Sequence, residues 1–206
     1  MPVNYKVMGV GLVFGILISV LAFRSKSVQA IDSPSQSTGS LYDITLNALS
    51  GEPMDLSQFK NKPIMIVNVA SKCGFTKQYK GLEELYQAYK KDGLIVIGVP
   101  SNDFGNQEPG TADEIQSFCQ LTYGVSFPMA EKVVTKGDGQ HPLYAFLTQS
   151  NPKLTGNVKW NFEKFIIDTN GQVVARYGSF TKPMSSSIQK TIQQLVDTSQ
   201  SEQSVN

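Results

Sequence analysis

Residues 63–76 read PIMIVNVASKCGFT. The first eight are a nearly continuous apolar run rich in Ile and Val, the pattern of a strand buried on both faces of a sheet. Ser71-Lys72-Cys73-Gly74 breaks the run, and Leu82, Leu85, Tyr86 and Tyr89 then recur at helical spacing until Gly93. LIVIGVP at 94–100 is a second buried strand. Further on, Thr111 and Glu114 form a capping box ahead of Ile115, Phe118, Cys119 and Thr122 on one helical face. Strands are predicted at 128–134, 158–168 and 172–178, and helices at 141–149 and 184–196. At the front, Tyr42, Ile44 and Leu46 alternate with polar residues before Gly51-Glu52, which predicts an N-terminal hairpin at the sheet edge. This order implies an α/β sheet with helices on both faces.

Composition narrows the chemistry. Among 206 residues, 40% are apolar, with 11 Phe, 8 Tyr and 1 Trp, enough to fill a core and to exclude a mainly disordered chain. Lys and Arg total 18 against 17 Asp and Glu, so no basic excess exists to neutralise nucleic acid. Two Cys and one His make neither a disulfide scaffold nor an all-protein Cys/His zinc site, so no metal is expected. The cysteines act by sulfur chemistry or by packing.

The ends stand apart from the domain. Residues 7–23 carry no charge and lie between Lys6 and Arg24. The run is slightly short for a membrane span and slightly long for the core of a signal peptide. Val28-Gln29-Ala30 suits cleavage, so residues 1–30 read as a signal peptide or a retained anchor. Cleavage, or an anchor facing outward, puts the remaining chain outside the cytoplasm. Without Lys6, Arg24 and Lys26, 15 basic residues face 17 acidic ones. Residues 31–40 read as a flexible linker, 41–196 as one domain, and 197–206 as a polar, unstructured tail.

Cys73 is the residue with chemical promise. It follows a buried strand and precedes a helix, at the carboxyl end of the sheet, where sites cluster in open α/β folds. A helix N-terminus supplies N–H groups and partial positive charge that favour a thiolate. Against this stands the ordinary use of a lone cysteine as a small apolar filler. Cys73-Gly74-Phe75-Thr76 lacks the second thiol of a Cys-x-x-Cys dithiol, so the only partner in the chain is Cys119.

Four stretches, NVASKCGFT (68–76), GVPSNDFGNQEPGT (98–111), FCQLTYGVSFPM (118–129) and VKWNFEKFIID (158–168), together resemble the glutathione peroxidase family in its cysteine-containing form. The resemblance spans roughly residues 40–196. It implies a thioredoxin-like fold with a central mixed sheet, and a peroxidatic Cys73 accompanied by Gln107, Trp160 and Asn161. Taken singly, a Trp is usually core, a loop Gln solvated, and an Asn a turn residue. As a set they are neutral donors that steady a thiolate and a leaving oxygen without a counter-charge. Ser101 stands where many relatives carry a further Cys, and Asp103 where Gln is common. His141, ahead of Pro142, reads as a helix-start residue rather than a general base.

The resemblance implies a thiol peroxidase that reduces hydrogen peroxide and organic or lipid hydroperoxides, with no metal or organic cofactor. Cys119 falls at the place of the resolving Cys in thioredoxin-dependent members, so a Cys73–Cys119 disulfide reduced by thioredoxin is implied, with glutathione the poorer donor. Locally, Ile115, Phe118 and Cys119 share an apolar face, which also suits a buried structural thiol. The short connector from Gln149 to Lys159 resembles the monomeric branch. A redox sensor that passes oxidation to a partner protein stays open; a non-catalytic thioredoxin-like binding module loses, because Cys73, Gln107, Trp160 and Asn161 are all present. Outside the cytoplasm, the reductant must be a local or membrane-passing thioredoxin-like donor; an anchor facing the cytoplasm removes that requirement.

Overall fold

The computed structural model describes residues 1–3 and 39–203. Four strands, β1 (Ile64–Val69), β2 (Ile95–Pro100), β3 (Lys164–Ile167) and β4 (Val173–Tyr177), form one sheet in the order β2-β1-β3-β4. The β1–β2 pair is parallel, and the β1–β3 and β3–β4 pairs are antiparallel, so the sheet is mixed. Among the described residues four α-helices accompany it: α1 (Gln78–Tyr89), α2 (Ala112–Tyr123), α3 (Pro142–Gln149) and α4 (Ser186–Gln203).

Alternation along β1 builds two cores. Met65, Val67 and Val69 pack on one face with Leu82 and Leu85 of α1, Ile115 and Cys119 of α2, and Ile188 and Ile192 of α4. Ile64 and Ile66 face the other side, against Leu143, Tyr144 and Leu147 of α3. Every residue of β1 is buried, as its nearly continuous apolar run requires. His141 caps α3, its Nδ1 accepting from the Leu143 amide with Pro142 following.

The front hairpin is smaller than the alternation predicts. Leu41–Asp43 forms a single 3-10 turn capped by Ser40, because Leu41 turns into the core rather than lying along an edge. Pairing is confined to the Asn47–Pro53 bridge, closed at Gly51 (φ 88). It meets the sheet through the 129–131 segment: Ala48 bridges Ala130, the Leu49 amide donates to the Met129 carbonyl and the Glu131 amide to the Asn47 carbonyl, and Met129 bridges Gly98 of β2. A Cβ at Gly98 would stand 2.6 Å from Met129 Sδ, so glycine permits that approach. The strand predicted at 128–134 is thus reduced to these bridges.

At the other end, the expected polar tail is helical through Gln203. Val196 is buried and Ser199 donates to the Asn61 carbonyl, so the last turns are held by the domain. The apolar run at 7–23, the proposed cleavage region and the linker through residue 38 lie outside the described residues. Among the described residues no helix is long and apolar enough to cross a membrane.

Candidate active site

Cys73 sits in the turn between β1 and α1, half-buried and free. Helix α1 begins only at Gln78, with no side-chain cap, so Cys73 lies ahead of the helix end that the sequence places beside it. The partial positive charge nearest its sulfur is local: the Phe75 amide donates to Sγ at 3.4 Å. Thr76 fixes the turn, its Oγ1 accepting from the Cys73 amide at 2.9 Å and donating to the Ala70 carbonyl at 2.8 Å. The residue that stands in place of a second thiol therefore has a structural task.

Gln107 reaches the same end of the sheet from the loop between β2 and α2. Gly105 (φ 66) and Asn106 (φ 51) are both left-handed, which turns the chain sharply before it. The Lys72 amide donates to the Gln107 carbonyl at 2.9 Å, tying this loop to the residue beside Cys73. Asn161 is fully buried and its Nδ2 donates to Gln107 Oε1 at 3.1 Å. That bond occupies the acceptor of Gln107 and leaves its amide N–H groups without a protein partner. Trp160 is 39% exposed and its ring leans on Phe104 with centroids 5.8 Å apart.

The turn that carries Trp160 and Asn161 departs from the long strand predicted at 158–168. Phe162 adopts φ 64, rare for a bulky residue, and this breaks the strand until Lys164. Asn68 of β1 holds the turn in place: its Nδ2 donates to the Trp160 carbonyl and its Oδ1 accepts from the Glu163 amide. The buried Phe162 ring, edge-on to Tyr79 at 5.4 Å, adds apolar burial that offsets the strain.

Several residues of this framework escape sequence reasoning. Glu108 is fully buried, and its Oε2 accepts from both the amide and the hydroxyl of Ser71. Burial pushes its carboxyl up, while the Ser71 bonds and then Lys132 and Lys72 pull it back. In the sequence it is one more charge in a loop. Asn68 hides in an apolar strand, where a lone Asn gives no signal beyond its misfit. Asp103 accepts from the amide and hydroxyl of Thr135, so it anchors the Gln107 loop at its far side.

Cys119 lies under α2, 1% exposed, in the apolar cluster on whose rim Cys73 packs. Burial pushes its thiol up to about 11, with the Tyr79 hydroxyl opposing and Glu108 adding to the rise. Tyr79 and Cys119 are neighbours without a well-formed hydrogen bond, and the Tyr79 hydroxyl is otherwise unpartnered. The folded chain thus holds the Cys119 proton more tightly than an unfolded thiol near 9.0. Stability from this group is complete below that value and falls as pH rises through 11, at up to about 1.4 kcal/mol per unit. Denaturant titrations of reduced wild type and Cys119→Ser on either side of this window check it: the variant should lack the alkaline loss.

A family model described as glutathione peroxidase matches residues 41–148. The chain belongs to that family. Glutathione peroxidase-like peroxiredoxin HYR1 of Saccharomyces cerevisiae is 51% identical over 148 residues, covering 71% of this chain and 90% of the yeast protein. Hydroperoxy fatty acid reductase gpx1 of Synechocystis sp. is 46% identical over 155 residues, 72% of this chain and 92% of that protein. The crystal structure of T. cruzi GPX1 superposes with a TM-score of 0.62 at 35% identity, covering 77% of this chain and 97% of that one. The fold is thioredoxin-like, and this glutathione peroxidase is a thiol peroxidase of the cysteine-containing kind.

Proposed function

We propose that Cys73 is the peroxidatic residue and that hydrogen peroxide and organic or lipid hydroperoxides are its substrates. The thiolate attacks the terminal peroxide oxygen, the O–O bond breaks, and water or an alcohol leaves once the departing oxygen takes a proton. Sulfur is left as a sulfenic acid. A thioredoxin-type donor restores the thiol through a Cys73–Cys119 disulfide. Gln107, Trp160 and Asn161 steady the thiolate and the departing oxygen.

The observation that carries this reading is the Gln107–Asn161 amide pair, tied to the Cys73 turn through the Lys72–Gln107 backbone bond. Two neutral amides held there by a part-buried bond have little structural use for the N–H groups left over. Their donation to an anion is worth about 1.5–3 kcal/mol. Gln107→Ala and Asn161→Ala are each expected to lower kcat/KM for hydroperoxide by roughly 10- to 100-fold, the same energy expressed as a rate. Stopped-flow oxidation of the reduced enzyme checks this. Wild-type rates in Gln107→Ala would remove the amide pair from the chemistry.

The apolar run at residues 7–23 supports delivery of the domain to, or across, a membrane, and the short 149–159 connector supports a monomer. N-terminal sequencing of the mature protein after fractionation tests the first, and recovery of intact Met1 in a soluble cytoplasmic fraction would refute it.

A further inference from the structure

A buried lysine reaches toward the segments that frame Cys73. Lys164, the first residue of β3, is fully buried, three positions after Asn161. Its Nζ donates to Gln78 Oε1 and to the Thr181 carbonyl, both at 2.6 Å. Neither partner is an acid, and Glu163, its neighbour in the chain, is paired with Arg176. Burial pulls the Lys164 amine down to about 7, with Glu163 opposing. A buried amine bonded to neutral oxygens is a poor source of stability, because the desolvation it costs offsets the bonds it makes. What it supplies is direction, with donors aimed at two separate segments.

Those bonds lead to the Cys73 sulfur. Gln78 opens α1, and its Nε2 donates to the Ser179 carbonyl at 2.6 Å, so Lys164 and Gln78 together hold the 179–181 loop at both ends. Phe180, between them, lays its ring edge-on against Phe75 with centroids 5.0 Å apart. The Gln78 amide donates to the Phe75 carbonyl at 2.8 Å, which holds the backbone from the other side. Phe75 is thus fixed by ring and carbonyl, and its own amide donates to Cys73 Sγ at 3.4 Å. Among the described residues no other donor reaches that sulfur. Gly74 leaves the peptide plane that carries this N–H freer to rotate than any other residue would, so the aim has to be set from outside the turn.

We infer that Lys164 is a positioning residue for the peroxidatic step: through Gln78 and the 179–181 loop it keeps the Phe75 amide aimed at the Cys73 sulfur. The inference rests on Cys73 being the attacked residue, and it deepens that reading by naming what holds the donor on its thiolate. An N–H directed at sulfur favours the thiolate over the thiol, so loosening the clamp lowers reactivity without touching substrate.

The test uses the reduced full chain. Lys164→Met keeps the length and the buried volume, and Gln78→Leu cuts the same link from α1 while keeping the lysine. Alkylation of Cys73 by iodoacetamide is followed across pH by peptide mass spectrometry. In each variant the midpoint should move up by about one unit, and the rate below that midpoint should fall about tenfold, the same shift read as thiolate fraction. The double variant should match the more affected single one, since both substitutions cut one link. Unchanged midpoints in both variants overturn the proposal, whatever happens to their thermal stability. So do shifts that add in the double variant, which would make the two side chains act separately. If Lys164→Met fails to fold, Gln78→Leu, at a half-buried position, decides by the same readout. Alkylation needs no peroxide, so shifted midpoints in a chain whose wild type leaves hydrogen peroxide unconsumed would count against the reading of Cys73 and not against the clamp.

Discussion

Cys73→Ser is expected to lower hydroperoxide turnover by a thousandfold or more, on the order of what removing a nucleophile costs in other enzymes. A serine hydroxyl is far less nucleophilic toward a peroxide oxygen than a thiolate, and the chain has no substitute. Cys119, the only other thiol, is buried, and its proton is held up to about 11. The fold should survive, because Cys73 is half-buried and the turn is fixed by Thr76 and the Ala70 carbonyl. Reductant-coupled peroxide consumption measures the loss, with circular dichroism as the control for folding. Substantial turnover by Cys73→Ser would mean that the reacting group lies elsewhere.

Cys119→Ser is expected to lower thioredoxin-driven turnover by a hundredfold or more, on the order of the loss of a reacting group, while leaving the first oxidation of Cys73 intact. A disulfide needs Cα atoms within about 7 Å, and Cys119 sits inside an intact helix. Buried within α2, Cys119 is expected to reach Cys73 by local unwinding of that helix when the bond forms. Only Ile115 and Cys119 of its 12 residues are buried, so little apolar packing resists. What does resist is capping: the Thr111–Glu114 box at the start, and at the end the Val125 amide donating to the Cys119 carbonyl. Hydrogen exchange should show α2 amides losing protection after one equivalent of peroxide in wild type and keeping it in Cys119→Ser. Full thioredoxin turnover by the variant, or a protected α2 in oxidised wild type, would replace the two-cysteine route with direct reduction by an external thiol.

What was legible in the sequence follows from which forces act locally. The two buried parallel strands, the Thr111 cap and the existence of helices α1 to α4 are written in periodicity and in one capping pair, though α1 starts later and α4 ends later than the pattern puts them. The failures are cases where distant contacts decide. Alternation at 42–46 loses to Leu41 turning into the core. The polar residues past Asp197 stay helical because Ser199 reaches Asn61, 138 positions away in the chain. At the site, the family motifs point to Cys73, Gln107, Trp160 and Asn161, but not to how they are held. Asn68, Glu108 and Thr76 bond to backbone or hydroxyl groups of other segments, and no local pattern encodes such partners.

The central claim is that Cys73 sulfur accepts the peroxide oxygen. Reduced Cys119→Ser, in which the sulfenic acid has no internal partner, should be mixed with one equivalent of hydrogen peroxide and a sulfenic-acid trap, then mapped by peptide mass spectrometry. The expected result is stoichiometric trapping on the Cys73 peptide with complete loss of peroxide. Peroxide that disappears while Cys73 stays an unmodified thiol, or that persists beside it, would contradict the claim.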